Sequence, residues 1–383
     1  MKVLIFLKGY FPALSYGGPP VSIKNFSDLM YKDLDLYLIT KNHDKDSNIP
    51  FIELTDKKWM TKENLKVKYL PDKDMSYRGL KASIEELSPD LIYLNSIFQL
   101  KVTLSICLIG NRKKIPILLA PRGELNSNAL KMKGLKKSIY LKTFKNLLTN
   151  KFVYFQATSY QEKLAIKDVL NVSNRRILDL PNIPSLPTEK NVREINLKKE
   201  GILKIVFLSR IHPKKNIHFI LEALKHVRGL IEFDIYGYID DKSYHNKVLK
   251  EAHNLPKNIS IRFMGQLQRE QLFKTLSKYH LFVLPTLSEN YGQAIVEAML
   301  SGCPILISDQ TPWSDINYHG GGWAISLENV HNYSKIIQKM INMNQGEFNQ
   351  TSNLVKKYIS EKLDMKNLYD SYKRALKKIV TKI

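Results

Sequence analysis

Acid is in short supply in this sequence. Its 36 Asp and Glu face 59 Lys and Arg, a formal net charge of +23 over 383 residues. Cysteine is scarcer still. Cys107 and Cys303 are the only two, both in apolar contexts. That excludes a disulfide framework, fits a reducing compartment, and makes both thiols small buried hydrophobes. No apolar run is long enough to span a bilayer. The N-terminal "KVLIFLKGY" is a first strand rather than a leader peptide. The dinucleotide fingerprint G-x-G-x-x-G is missing, as are internal repeats and low-complexity tracts. The surplus of cations calls for an anionic partner: nucleic acid, a membrane face or a phosphorylated substrate. Nucleic acid is disfavoured, because the aromatics sit inside apolar strands and helices instead of alternating with basic residues.

What is present is an alternation. "KVLIFLK", "LDLYLIT", "DLIYLN", "PILLAPR" and "VYFQATS" read as strands in the first half. "LKIVFLSR", "IEFDIYGY", "ISIRFMGQ", "LFVLPT" and "PILISD" do so in the second. Amphipathic helices such as "SIKNFSDLMYK", "NIHFILEALKHV" and "QLFKTLSKYH" lie between them. Continuous apolar strands separated by helices predict parallel sheets covered on both faces. The pattern occurs twice, and an apolar fraction of 44% is ample for two cores. "LPNIPSLPTEKNVREINLKKEG" is rich in proline and charge, so the boundary is expected near residue 190. The expected architecture is α/β: two Rossmann-like doubly wound domains, 1–188 and 189–364, facing a cleft at the carboxyl ends of their strands. The helical tail, about 365–383, is expected to pack back on the first domain.

Three loops carry candidate chemistry. In "LSRIHPKKN" the cations Arg210, Lys214 and Lys215 flank a strand-to-helix loop. Forked arginine donors, lysine point charges and free helix-start amides together suit a diphosphate. A solvated basic loop is the plainer alternative. In "ALSYGGPPVSIKNF" the pair Gly17 and Gly18 allows close backbone approach, and the following prolines suit a first helical turn. A plain turn would read the same way. In "SENYGQAIVEAMLSGCPIL", Glu289 lies in a loop after "LFVLPT", Gly292 opens a helix and Glu297 follows about one turn in. Helix-start amides suit an anion and carboxylates accept sugar hydroxyls. Alternatively Glu289 is a helix-start acid favoured by the macrodipole, and Glu297 is a surface residue.

Taken together, these segments resemble the retaining glycosyltransferases of family 4, which have the glycosyltransferase-B fold. The family's E-x7-E motif is matched by Glu289 and Glu297 in "ENYGQAIVE". Its Arg and Lys after the first strand of the second domain are matched by Arg210 and Lys215. Its glycine-rich first loop is matched by Gly17 and Gly18. "EAMLSGCPIL" and "ATSYQEK" match two further runs. The resemblance implies transfer of a sugar from a nucleotide diphosphate sugar with retention and without a metal or other cofactor. Arg210 and Lys215 would neutralise the diphosphate, Glu297 would hold ribose hydroxyls, and Glu289 would orient the donor sugar. Asn290, Tyr291, Gly292 and Gln293 would complete the nucleotide-sugar site. The leaving phosphate would take the acceptor's proton.

The sequence departs from the family at one point. Many members place a histidine after a first-domain strand, whereas "LLAPRGELNSNAL" has Arg122, Gly123 and Glu124 there. Arg122 is the candidate for contact with donor sugar or acceptor, a structural ion pair being the alternative. The D-x-D matches at Asp33–Asp35, Asp44–Asp46 and Asp72–Asp74 lie in turns and lysine-bearing loops, so metal ligation is not expected. The nine histidines show no ligand spacing. Residues 129–152 carry many lysines and no acid. Met132, Leu135 and Ile139 share helical spacing, as do Leu141, Phe144 and Leu148. Such a helix suits an anionic membrane surface or a solvated domain face. The expected protein is cytoplasmic, peripheral on the inner membrane face, and builds a cell-surface polysaccharide on a glycan or lipid-linked acceptor. An epimerase or a sugar phosphorylase on the same fold is the alternative within the class. A basic nucleic-acid-binding protein is the alternative outside it.

Overall fold

The computed structural model describes residues 1–13, 15–45, 47–54, 56–131, 134–187 and 197–381. It divides into two compact units, Met1–Ile183 with Met365–Ile383, and Pro184–Asp364. The boundary anticipated near residue 190 lies outside the described residues. The division itself falls earlier, between Ile183 and Pro184.

The first unit holds eight strands: β1 Lys2–Phe6, β2 Asp35–Lys41, β3 Met60–Lys62, β4 Leu65–Leu70, β5 Leu91–Asn95, β6 Ile117–Ala120, β7 Val153–Ala157 and β8 Ile177–Asp179. They form one sheet in the order β3-β4-β2-β1-β5-β6-β7-β8. All pairs are parallel except β3 with β4, an antiparallel hairpin at one edge. That hairpin and β8 are additions to the five strands anticipated in this half. Alternation along β1 builds two cores. Leu4 and Phe6 pack with Leu80, Ile84 and Ile106 on one face. Val3 and Ile5 pack with Ile23, Phe26 and Met30 on the other. Residues on both faces are therefore apolar, as a sheet covered by helices on two sides requires.

The last helix, Met365–Thr381, completes the second of these cores with Tyr372, Leu376 and Ile379. Its Tyr372 hydroxyl donates to the Pro181 carbonyl at 2.8 Å and accepts from Gln156 Nε2 at 2.9 Å. Lys373 pairs with Asp33 at 2.5 Å, and Tyr369 donates to the same carboxylate. Burying aromatic and aliphatic side chains of this size is worth about 1.5–3 kcal/mol each. The tail is thus a structural part of the first unit.

The second unit holds β9 Ile202–Leu208, β10 Leu230–Tyr236, β11 Ile259–Gly265, β12 Leu281–Leu284, β13 Ile305–Ser308 and β14 Gly322–Ile325. Their order is β11-β10-β9-β12-β13-β14, all parallel. Strand β9 has β10 on one side and β12 on the other. The direction of winding reverses there, which makes the carboxyl ends of β9 and β12 the switch point where open parallel sheets bind ligands. Gly237, just past β10, tightens this end: a Cβ there would lie 1.8 Å from the Ser209 carbonyl oxygen. No other residue type lets these two strand ends come so close.

Candidate functional site at the switch point of the second unit

After β9 the chain runs through Ser209–His212 into a short 3-10 turn, Pro213–Lys215, and then into the helix Ile217–Leu224. His212 caps the turn, its Nδ1 accepting from the Lys214 amide at 3.1 Å. Asn216 makes the corner with a positive φ of 58°. After β12, residues 285–291 lead to Gly292, which opens the helix Gln293–Leu300 with φ +80°. The two loops are tied together. The Lys214 carbonyl accepts from the Leu287 amide at 2.9 Å and the Thr286 hydroxyl at 3.2 Å. Lys215 and Glu289 are brought face to face by that tie, and they form an ion pair.

The pair is largely withdrawn from water, with side-chain exposures of 10% for Lys215 and 18% for Glu289. Burial pushes the Glu289 carboxyl up, but the nearby Lys215 and Lys214 charges outweigh it and hold the group ionised below its usual range. Lys214 is shifted down as well, which for an ammonium disfavours the charge. Burial, then Lys215 and Arg210, lower its ammonium, with Glu289 in partial opposition. Two ammonium groups thus share one carboxylate, and the loop keeps a positive surplus. Arg210 stands apart from the pair. Its guanidinium is part-exposed and donates to Asp240 at 2.6 Å. The sequence gave no hint of Asp240 as its partner.

Glu297 is buried in the helix and not on the surface. Its Oε1 accepts from the Ser185 hydroxyl at 2.9 Å. Ser185 Oγ in turn accepts from Arg269 at 2.7 Å and from Gln293 Nε2 at 3.4 Å. Burial raises the Glu297 carboxyl to about 7, against the opposing influence of Arg269, Ser185 and Gln293. Neither Ser185, in a proline-rich stretch, nor Arg269, in "LQREQL", carries a motif that would have announced it. Tyr291 is buried, stacks edge-on against Trp313, and accepts the indole N–H on its carbonyl at 2.5 Å. The Asn290 amide donates to Glu289 at 3.3 Å. Of the residues expected at this site, Lys215, Glu289 and Asn290 form one cluster. Gln293 and Glu297 form a second around Ser185, with Gly292 opening the helix that carries both.

Residues 188–359 match the family model for glycosyl transferases group 1. Among curated proteins, the chain is 22% identical over 295 residues to an uncharacterised 41.2 kDa protein in the cps region of Klebsiella pneumoniae, covering 74% of this chain and 77% of that protein. It is 20% identical over 238 residues to the O-antigen chain mannosyltransferase RfbU of Salmonella typhimurium, covering 59% of this chain and 64% of that one. Among solved structures, Anabaena HepE in complex with UDP and glucose aligns over 99% of this chain and 100% of its own, with a TM-score of 0.73 and 14% identity. The second unit is a group 1 glycosyl transferase domain.

In the first unit, Arg122 takes a positive φ of 56°. Its guanidinium donates to Asn95 Oδ1 at 2.7 and 3.0 Å, to the Tyr93 hydroxyl at 2.7 Å, and to Asn182. All of these partners are neutral, so the structural ion pair weighed as its alternative role is not what holds it. Gly17 has φ +70°, and neither Gly17 nor Gly18 has an atom within 4 Å of where a Cβ would stand. The helix Gly18–Met30 begins there, with Pro19 and Pro20 at its second and third positions. Among the described residues, no group of three or more His, Cys, Asp or Glu is placed to hold a metal ion. In the D-x-D matches, Asp33, Asp72 and Asp74 are each paired with a lysine, and Asp46 lies outside the described residues. Both cysteines are free and buried.

The Glu297 environment makes a pH prediction. An ordinary glutamate ionises near 4.5, and this one near 7. Between those values the folded protein holds a proton that the unfolded chain releases. Stability therefore falls as pH rises through that window and is level above it. The ionised group costs on the order of 3 kcal/mol at neutral pH. Glu297→Gln removes the titration and keeps an acceptor for Ser185. Urea unfolding, followed by the fluorescence of Trp313 and Trp323, should show the variant gaining on wild type between about pH 5 and about pH 8. A constant difference across that range would mean that Glu297 is not held protonated by burial.

Proposed function

We propose that the chain transfers a sugar from a nucleotide diphosphate sugar to a growing cell-surface glycan, retaining the anomeric configuration. The single observation that carries this reading is the Lys215–Glu289 pair, with Lys214 and Arg210 beside it, at the carboxyl ends of β9 and β12. A positive surplus at a helix-start loop suits a diphosphate. A carboxylate kept ionised within reach of that diphosphate suits the hydroxyls of the sugar attached to it. The group 1 family match supports sugar transfer. The cps-region and O-antigen relatives support a polysaccharide product, and UDP in the HepE complex supports a nucleotide-linked donor.

In this reading Lys215 and Arg210 neutralise the diphosphate as negative charge develops on it in the transition state. Glu297 accepts from ribose hydroxyls in place of Ser185. Glu289 orients the donor sugar, and the backbone from Asn290 to Gln293 follows the phosphates. Gly17 and Gly18 let the first loop approach the donor closely, and Arg122 contacts the sugar or the acceptor. The bond from anomeric carbon to phosphate oxygen breaks, and the acceptor oxygen bonds to that carbon on the same face. The acceptor's proton passes to the departing phosphate. No metal takes part.

The acceptor is a glycan, linked to lipid, met at the cytoplasmic face of the membrane. The helix Gly134–Leu148 supports that placement: it exposes Leu135 and Ile139 beside Lys136 and Lys142. The anticipated stretch is two helices, Ser127–Lys131 and Gly134–Leu148, of which Leu141 and Leu148 are core residues. Met132 lies outside the described residues. Among the described residues no helix is long and apolar enough to cross a membrane.

Two measurements test these points. Isothermal titration with UDP and other nucleoside diphosphates should find a ligand whose affinity falls about tenfold or more in Lys215→Ala and in Arg210→Ala, the loss of one charge-assisted contact each. Binding should persist in EDTA. Unchanged affinity in both variants would remove the diphosphate assignment. Sedimentation with vesicles should bring the protein down with anionic lipid and less of it with Leu135→Ser/Ile139→Ser. Equal binding by that double variant would remove the membrane assignment.

A further inference from the structure

The first unit carries a second group of cations that the donor site does not use. The register of β1 on β2 pairs Phe6 with Ile39, and the ladder continues through the Leu7 amide to the Ile39 carbonyl at 3.2 Å. Lys8 follows two residues further on, and the Lys41 charge at the end of β2 acts on it. Like charges near one another repel, and these two lie just past β1 and at the end of β2, at the carboxyl ends of the strands, where this class of sheet takes ligands. Lys41 is partly answered by Asp72 at 2.6 Å. Lys8 is not in an ion pair with any described residue. Partial desolvation, then Lys41 and Lys45, hold its ammonium below the usual range, with Asp72 and Glu124 in partial opposition.

His43 lies in the same place and is buried to 6% exposure. Its Nδ1 is 2.8 Å from the Asp44 carbonyl oxygen, which can only accept, so Nδ1 carries the proton. The other ring nitrogen, Nε2, has no hydrogen-bond partner and lies 3.4 Å from Asp72. The loop that follows β1 is fastened here too, by the Ser15 amide on Asp44 Oδ1 at 3.3 Å. An ammonium without an ion pair, a second ammonium whose charge reaches it and an imidazole nitrogen without a hydrogen-bond partner make a site with two distinct demands: negative charge and a hydroxyl.

We propose that Lys8, Lys41 and His43 form a subsite for a negatively charged sugar of the acceptor. Lys8 and Lys41 hold its phosphate or carboxylate, and His43 Nε2 accepts from a neighbouring hydroxyl. A neutral sugar would leave Lys8 unanswered, and inorganic phosphate alone would not use the imidazole. The acceptor role rests on the glycosyl transfer proposed above, but the binding site does not, and the two can be tested apart.

The test uses the full chain carrying Lys215→Ala, so that binding of small phosphates at the donor site is weakened. Glucose 1-phosphate, glucuronate and glucose are titrated at low ionic strength. At least one charged sugar should bind, and glucose should bind tenfold or more weakly. Which charged sugar binds better separates a phosphate-bearing acceptor from an acidic-sugar one. Adding Lys8→Ala should reduce the charged sugar's affinity about tenfold, the loss of one ionic hydrogen bond, and Lys8→Arg should restore most of it. Equal binding of the three sugars, or no effect of Lys8→Ala, would overturn the subsite. Nucleoside diphosphate affinity that survives Lys215→Ala would overturn the donor assignment instead, and would leave the Lys8 comparison readable.

Discussion

Two ammonium groups and one carboxylate, Lys214, Lys215 and Glu289, are held together at the end of a parallel sheet, and the chemistry proposed for the second unit depends on that imbalance. A buried pair broken by removing one partner costs about 3–5 kcal/mol, so the arrangement persists only where surrounding structure enforces it. Here the enforcement is visible. The Lys214 carbonyl anchors the β12 loop, and the Ser308 hydroxyl donates to the Thr286 carbonyl at 2.5 Å from the next strand. The same network that brings Lys215 to Glu289 leaves Lys214 without a carboxylate of its own, and it is this surplus cation that the proposed diphosphate role calls on.

The rest of each unit serves to fix strand ends. In the first, the alternating side chains of β1 are shared between two cores, and the C-terminal helix closes one of them through Tyr372, Leu376 and Ile379. Arg122 is locked among Tyr93, Asn95 and Asn182, which sets its guanidinium at the ends of β5 and β6 without neutralising it. In the second, Gly237 lets β9 and β10 converge beside Arg210, whose guanidinium pairs with Asp240. Arg122 is thus held by neutral partners and Arg210 by a carboxylate.

Much of this was legible in the sequence, for a physical reason. Strands buried on both faces must be continuously apolar, so β1, β5, β6, β7, β9, β12 and β13 stand out as runs. Strand β4, "LKVKYL", did not. Lys66 faces solvent, and Lys68 is buried only because it reaches Glu86 at 2.7 Å and lies over the Trp59 ring. Both interrupt the apolar run. The loops bearing Arg210, Lys215, Glu289 and Glu297 are marked by charge at helix starts, and it is the family resemblance that singles them out. Their partners were not, because Ser185, Arg269 and Asp240 are far along the chain and meet these residues only through the fold. Glu297 shows the limit most plainly: its helical position was evident, while its burial and raised ionisation come from neighbours that periodicity does not reveal.

The role of Glu289 is where structure and chemistry can be separated most directly. Glu289→Gln keeps the shape and an acceptor oxygen and removes the charge. If Glu289 orients the donor sugar beside the diphosphate, the sugar-transfer rate should fall on the order of 10²-fold, a few kcal/mol of transition-state stabilisation. Nucleoside diphosphate affinity should hold or rise, since Lys215 is then freed for phosphate. A normal transfer rate accompanied only by a lower melting temperature would contradict this, and would make the carboxylate no more than a counter-ion for Lys215.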